Sequence, residues 1–260
     1  MAEIVITESA AAAAQLGADA VQALVAEKPD AVLGLATGST PLPLYRALQR
    51  RVAAGLDLSR VRAFALDEYV GLERGHPQSY ASVLLREAVE PLGLDGGAVR
   101  VPDGSLEGIE TAGARYEAAI EAAGGIDLQV LGIGTDGHIG FNEPGSSFAS
   151  LTRVKTLTEQ TRHDNARFFD SAGEVPMHCV TQGLGTILRA RHLLLLAFGE
   201  SKAAALANAV EGALSASVPA SAIQLHPRVT VLVDEAAASG LARADYYRYA
   251  WANKPRWQGL

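Results

Sequence analysis

Apolar residues along this chain fall into short unbroken runs and into helical stripes, and the two kinds of segment alternate. Residues 4–6, 31–36 (AVLGLA), 61–66 (VRAFAL), 128–133, 193–198 (LLLLAF) and 229–233 are runs of strand length. Between them, residues 7–26 are alanine-rich, with Ala14, Val21, Leu24 and Val25 at helical spacing. The stretch beyond Pro41 puts Leu44, Ala47, Leu48 and Val52 on one face, and Thr40 as N-cap with Pro41 at the first helical position fits its start. Residues 78–89, 109–122, 183–189 and the segment from Lys202 through Val210 read as further helices, and 99–102 and 153–156 as short extended pieces. Residues 157–177 are polar without one clean period, and the tail from Asp245 is aromatic and basic.

This alternation predicts an α/β fold: one Rossmann-like three-layer domain over residues 1–260, with a mostly parallel central sheet and helices on both faces. Strands apolar throughout are what covering on both faces requires. Ligands of such a sheet bind beyond the carboxyl ends of its strands. Four polar clusters stand there: Thr37-Gly38-Ser39-Thr40, Asp67-Glu68-Tyr69, the Gly-Thr-Asp-Gly-His sequence ending at His138, and Gly199-Glu200-Ser201-Lys202.

Composition narrows the class of function. The chain is 48% hydrophobic, ample for one core, and its 22 basic against 29 acidic residues give a net charge of −7. That balance argues against a nucleic-acid surface, which needs a basic stripe. No apolar run is long enough to span a bilayer, and the start, MAEIVITESA, lacks the pattern of a signal peptide. A single cysteine, Cys179, cannot form an internal disulfide and agrees with a cytoplasmic address.

Each cluster carries a functional and a plain structural reading. Thr37, Gly38, Ser39 and Thr40 form a small turn entering a helix, where N–H groups, hydroxyls and the helix end can hold a phosphate, or where the turn merely caps the helix. It is neither a Walker A loop nor a dinucleotide fingerprint. Asp67 at a strand end is a reacting carboxylate, the cap of a neighbouring helix or the partner of an arginine, with Glu68 and Tyr69 supporting the loop. Asp136, His138 and Glu143 lie among glycines in GIGTDGHIGFNEP. They suit acid–base work, with the carboxylates orienting and tuning the imidazole. A metal site is the rival reading, weakened by the absence of a second His or Cys nearby in sequence. Lys202 and Arg167 could each complete a phosphate clamp, the plain reading of Arg167 being a solvated charge.

The motifs LGLATGSTPLPLYRAL, FALDEYVGL, GIGTDGHIGFNEPGSSF, the stretch from Thr161 to Asp170 and IQLHP resemble glucosamine-6-phosphate deaminase, over nearly the whole chain. The resemblance implies conversion of glucosamine 6-phosphate and water to fructose 6-phosphate and ammonia, with no cofactor and no metal. Asp67 then resembles a general base moving a proton between C2 and C1, and His138 the group that handles the ring-oxygen proton, with Asp136 and Glu143 as its partners. Thr37, Gly38, Ser39, Thr40, Arg167 and Lys202 fall where that family binds the 6-phosphate, and residues 157–177 resemble a mobile lid. Some members are hexamers activated by N-acetylglucosamine 6-phosphate at a subunit interface, and others are monomers without an effector. Ser146, Arg153, Lys155 and Thr156 look similar to part of that allosteric site, so a homo-oligomer with this effector is one expectation.

Three other readings stand beside it. A 6-phosphogluconolactonase resembles this fold, but DEYVG and the FNEP ending favour the deaminase. A sugar-phosphate sensor would carry an added DNA-binding segment, for which a first strand at Ile4 leaves no room. A metal hydrolase would use Asp136, His138 and Glu143 as ligands.

Overall fold

The computed structural model describes residues 2–73, 75–255 and 257–260. In chain order its strands are β1 (Glu3–Thr7), β2 (Val32–Leu35), β3 (Arg62–Ala65), β4 (Asp67–Tyr69), β5 (Val99–Arg100), β6 (Leu128–Leu131), β7 (Arg153–Thr156), β8 (His178–Thr181), β9 (His192–Ala197) and β10 (Val229–Asp234). The helices are α1 (Ala10–Glu27), α2 (Leu42–Ala53), α3 (Tyr80–Leu84), α4 (Glu90–Leu92), α5 (Ile109–Ala122), α6 (Glu159–Asn165), α7 (Leu184–Ile187), α8 (Ala203–Val210), α9 (Glu235–Ala238) and α10 (Ala244–Ala252).

Seven strands pair in the order β1-β10-β9-β6-β2-β3-β5, every pair parallel. β2, β6 and β9 are buried at every position, as the apolar runs predicted for strands with both faces covered. Strand order reverses between β2 and β6: from β2 the chain builds outward through β3 and β5, and from β6 through β9 and β10. The crevice of such a sheet lies at the carboxyl ends of that central pair. Gly34 on β2 makes the pairing close, because a side chain there would overlap the buried Gln129 of β6. At the opposite edge, Asp127 accepts the Val32 N–H at 2.8 Å and pairs with Lys28 and Arg191.

A second sheet was not foreseen. β4, β8 and β7 pair antiparallel in that order, so Asp67–Tyr69 is a strand rather than a supporting loop. Leu66 is the joint between the sheets: its N–H donates to Leu35 O, and its carbonyl accepts the Gln182 N–H at 2.8 Å. A separate apolar cluster of Tyr69, Phe141, Leu157, Val175 and Cys179 forms around the small sheet.

Several boundaries move. α1 begins at Ala10, with Ser9 accepting the Ala12 N–H, three residues beyond the predicted start. α2 begins at Leu42 with Pro41 at the cap position and no side-chain cap, which corrects the expectation that Thr40 caps it. The helix foreseen over 78–89 is α3 followed by a π-helical stretch, Leu85–Val89. Within the polar stretch 157–177 lie α6 and two 3-10 turns, Ala166–Phe168 and Ala172–Glu174. None of the helices among the described residues is long and apolar enough to cross a membrane.

Candidate active site

The predicted groups converge on one cavity of about 700 Å³ at the carboxyl end of the large sheet. Thr37, Gly38, Ser39 and Thr40 line it beyond β2, Asp67 beyond β3, His138 beyond β6, Lys202 beyond β9 and Arg167 beyond α6. Gly38 takes a φ of +86°, the turn that only glycine adopts without strain. A Cβ at Gly132 would sit 3.7 Å from Thr40, so the segments after β2 and β6 touch across the switch point. Lys202 stands on the 3-10 turn Glu200–Lys202. Burial and the Arg167 charge hold its ammonium pKa below the ordinary value, against the opposing pull of Asp164 and Asp136. A phosphate between these cations would relieve both effects.

Asp67 is 6% exposed. Burial, reinforced by the neighbouring Glu68 charge and only partly offset by the Phe141 N–H, pushes its carboxyl up to about 8. The chain opposite it is glycine at 140, whose Cβ would lie 3.5 Å from Oδ2 of Asp67. Of the two acidic neighbours it is Glu68, not Asp67, that caps a helix. Its carboxylate accepts the Tyr69, Tyr80 and Ala81 N–H groups at 2.8–2.9 Å, tying α3 to β4.

His138 lies against Gly134 so closely that a Cβ there would overlap its ring. Nδ1 of His138 stands 2.7 Å from Oδ1 of Asp136 and 3.6 Å from Oε2 of Glu143. Burial opposes the Asp136 charge, but the hydrogen bond and charge of His138 outweigh it and hold that carboxyl well below its usual range. Glu143 is buried, and its other oxygen accepts the Thr158 N–H at 3.2 Å at the start of α6. Asp136 and Glu143 stand behind the imidazole rather than in the cavity wall. One ligand atom from each of the three lies within 4.8 Å of the others. The 2.7 Å Nδ1–Oδ1 separation, however, is shorter than two ligands of one ion allow. Two ligands of one tetrahedral zinc stand about 3.3 Å apart.

Sequence reading gave Tyr69 only a supporting place in its loop and missed Tyr80 and Asn165; all three line the cavity. Tyr69 follows Asp67 by two residues, so strand alternation puts both on one side; recognising β4 as a strand would have found it. The four residues set apart as an effector group lie away from this cavity. Ser146 donates to Glu143 O at 2.7 Å, and Arg153 on β7 donates to Asn142 Oδ1 at 2.8 Å. Lys155 shares Arg153's face of β7, while Thr156 lies on the other.

The profile of the family described as glucosamine-6-phosphate isomerases/6-phosphogluconolactonase matches residues 6–232. The chain belongs to this family. Among glucosamine-6-phosphate isomerase/6-phosphogluconolactonase relatives, it is 61% identical to a glucosamine-6-phosphate deaminase of Arthrobacter sp. (strain FB24), covering 99% of this chain and 100% of that one. It is 60% identical to a glucosamine-6-phosphate deaminase of Streptomyces avermitilis over 99% and 100% of the two chains. The solved structure of a monomeric glucosamine-6-phosphate deaminase superposes with a TM-score of 0.89 at 41% identity, covering 92% of this chain and 99% of that one. A 6-phosphogluconolactonase from Leishmania guyanensis superposes at 0.73 with 21% identity over 93% and 99%, a likeness of fold.

Proposed function

We propose that this chain converts glucosamine 6-phosphate and water to fructose 6-phosphate and ammonia, by ring opening, aldose–ketose isomerisation and deamination. The observation that carries the reading is the convergence on one cavity of a buried carboxylate, a histidine backed by two carboxylates, a phosphate-suited turn and two cations. Deaminase relatives at about 60% identity over their full length support it.

The 6-phosphate sits on the turn of Thr37, Gly38, Ser39 and Thr40, with Lys202 and Arg167 neutralising its charge. His138 takes up the C1-hydroxyl proton and delivers a proton to the ring oxygen as the C1–O5 bond opens to the aldehyde, with Asp136 and Glu143 orienting the imidazole. Asp67, poised near neutral pH by its burial, takes the proton from one of C1 and C2 and returns it to the other. Loss of the 2-amino group as ammonia and addition of water leave the ketose. Residues 157–177 act as a lid that excludes water within a single cytoplasmic domain over residues 1–260. The reaction needs no redox cofactor.

The test is ammonia release from glucosamine 6-phosphate, coupled to detection of fructose 6-phosphate. Equal amounts of both support the reading. Hydrolysis of 6-phosphogluconolactone without ammonia release replaces it. A regulatory expectation accompanies it: N-acetylglucosamine 6-phosphate bound beside Ser146, Arg153, Lys155 and Thr156 of a homo-oligomer activates the enzyme. A velocity curve hyperbolic without that compound and unmoved by it removes this part.

A further inference from the structure

The helix over the cavity, α6, is fastened at both ends to the groups placed in the chemistry. At its start, Thr158 caps the Thr161 N–H and gives its own N–H to Glu143, whose second oxygen faces His138. At its end, Asn165 Nδ2 donates to the Tyr69 hydroxyl at 3.0 Å. Tyr69 also accepts from the Tyr80 hydroxyl at 3.3 Å, and Tyr80 begins α3. One phenol oxygen therefore joins two walls of the cavity, α6 and α3. It does so from the strand that carries Asp67, two residues away and on the same side.

The ring of Tyr69 is fixed as firmly as its hydroxyl. It is 2% exposed. It packs on Tyr80, Phe141 and Phe169 with ring centroids 4.8, 5.8 and 5.7 Å away. Phe169 belongs to the segment just past Arg167, so Tyr69 holds the chain on both sides of that guanidinium. A deaminase must place two distant parts of one open-chain sugar at once, the phosphate against Arg167 and C1–C2 against Asp67. Only a rigid link between the parts of the protein that carry these groups enforces both placements.

We propose that Tyr69 is a positioning residue of the reaction, its hydroxyl bond to Asn165 holding the Arg167 segment in register with the strand of Asp67; this rests on the deaminase reading of the cavity. Tyr69 acts through these neighbours and does not itself exchange protons with the substrate. Its removal should therefore affect both phosphate-end affinity and turnover.

The experiment is a double-mutant cycle of Tyr69→Phe and Asn165→Ala in the full chain. The readouts are kcat, KM for glucosamine 6-phosphate and the inhibition constant of inorganic phosphate. Each single variant should lower kcat/KM roughly tenfold, the scale of one lost hydrogen bond in a positioned site, with KM and the phosphate constant rising together and kcat falling. The double variant should be no worse than the worse single one, because both remove the same bond. Losses that multiply in the double variant, or either single variant matching wild type, overturn the proposal. Should Tyr69→Phe fail to fold, the half-buried Asn165→Ala decides alone, by whether kcat and phosphate affinity fall together. Wild-type protein that releases no ammonia overturns the deaminase reading instead, a result distinct from active wild type with unaffected variants.

Discussion

Nδ1 of His138 and Oδ1 of Asp136 face each other at 2.7 Å across a glycine-bounded turn, and that contact fixes which ring nitrogen can meet a substrate. An ionised carboxylate behind Nδ1 keeps a proton there and leaves Nε2 to exchange one with the cavity. Asp136→Asn offers an amide that can present its N–H to the same nitrogen and reverse the tautomer. Its kcat for ammonia release should fall by about 10²-fold or more, with the circular dichroism spectrum unchanged. A folded Asp136→Asn protein with near-normal kcat would show that the imidazole needs no such orientation.

As the proposed base, Asp67 should set the acid side of the pH profile. With its carboxyl raised to about 8 by burial and the Glu68 charge, the base form is the minor one at neutral pH. The kcat/KM of wild type should rise about tenfold per pH unit below that value and level off above it. Asp67→Asn should lose about 10²-fold or more of kcat and this limb of the profile. A flat profile from pH 6 to 9 would assign the base elsewhere.

The same group has an effect on stability with a definite sign. The ordinary carboxyl value is 3.8, and the folded value is about 8. Below the lower value, folded and unfolded chains both hold the proton. Between the two, the folded chain alone keeps it, so the stability it contributes is lost as pH rises through about 8. Asp67→Asn removes that loss. Its Tm should exceed that of wild type at pH 8.5 by at least about 2–4 °C, the shift that roughly 1 kcal/mol produces in a chain of this size. The gap should close toward pH 4. A wild-type Tm advantage that grows with pH would reverse the assignment.

Gly134 has no positive φ to defend, so its role is the room it leaves. Gly134→Ala should push the His138 ring from its place and cost about 10²-fold in kcat, the scale of roughly 1 Å of misplacement. Adding His138→Ala should restore the lost Tm, because the overlap goes with the ring. If the double variant stays as unstable as the single one, the backbone rather than the ring demands the glycine.

The large sheet was legible because its strands are apolar on both faces. The carboxyl-edge site was legible because each polar cluster begins where such a run stops. α5 and β7 match the predicted residues to the position. The small sheet was hidden for the opposite reason. β4 reads Asp-Glu-Tyr, two charges that no apolar pattern marks as buried, and they are buried because backbone N–H groups and neighbouring walls receive them. β8, His178–Thr181, is four residues at the end of a polar stretch. The start of α2 was misread by one residue because Pro41 can occupy the cap position as well as the first turn. The roles of Tyr69 and Asn165 depend on a contact between residues 96 apart, which no local pattern contains.

Because Leu66 hydrogen-bonds to the large sheet through its nitrogen and to the small one through its oxygen, the turn after β2 and Asp67 stand on opposite sides of a seam. For the proposed reaction the two sheets are the jaws of a gauge. A sugar phosphate too short to reach across should seat its phosphate at Ser39 and Thr40 and leave Asp67 with nothing to deprotonate. Chain length would be metered by this architecture, before any hydroxyl of the sugar is recognised.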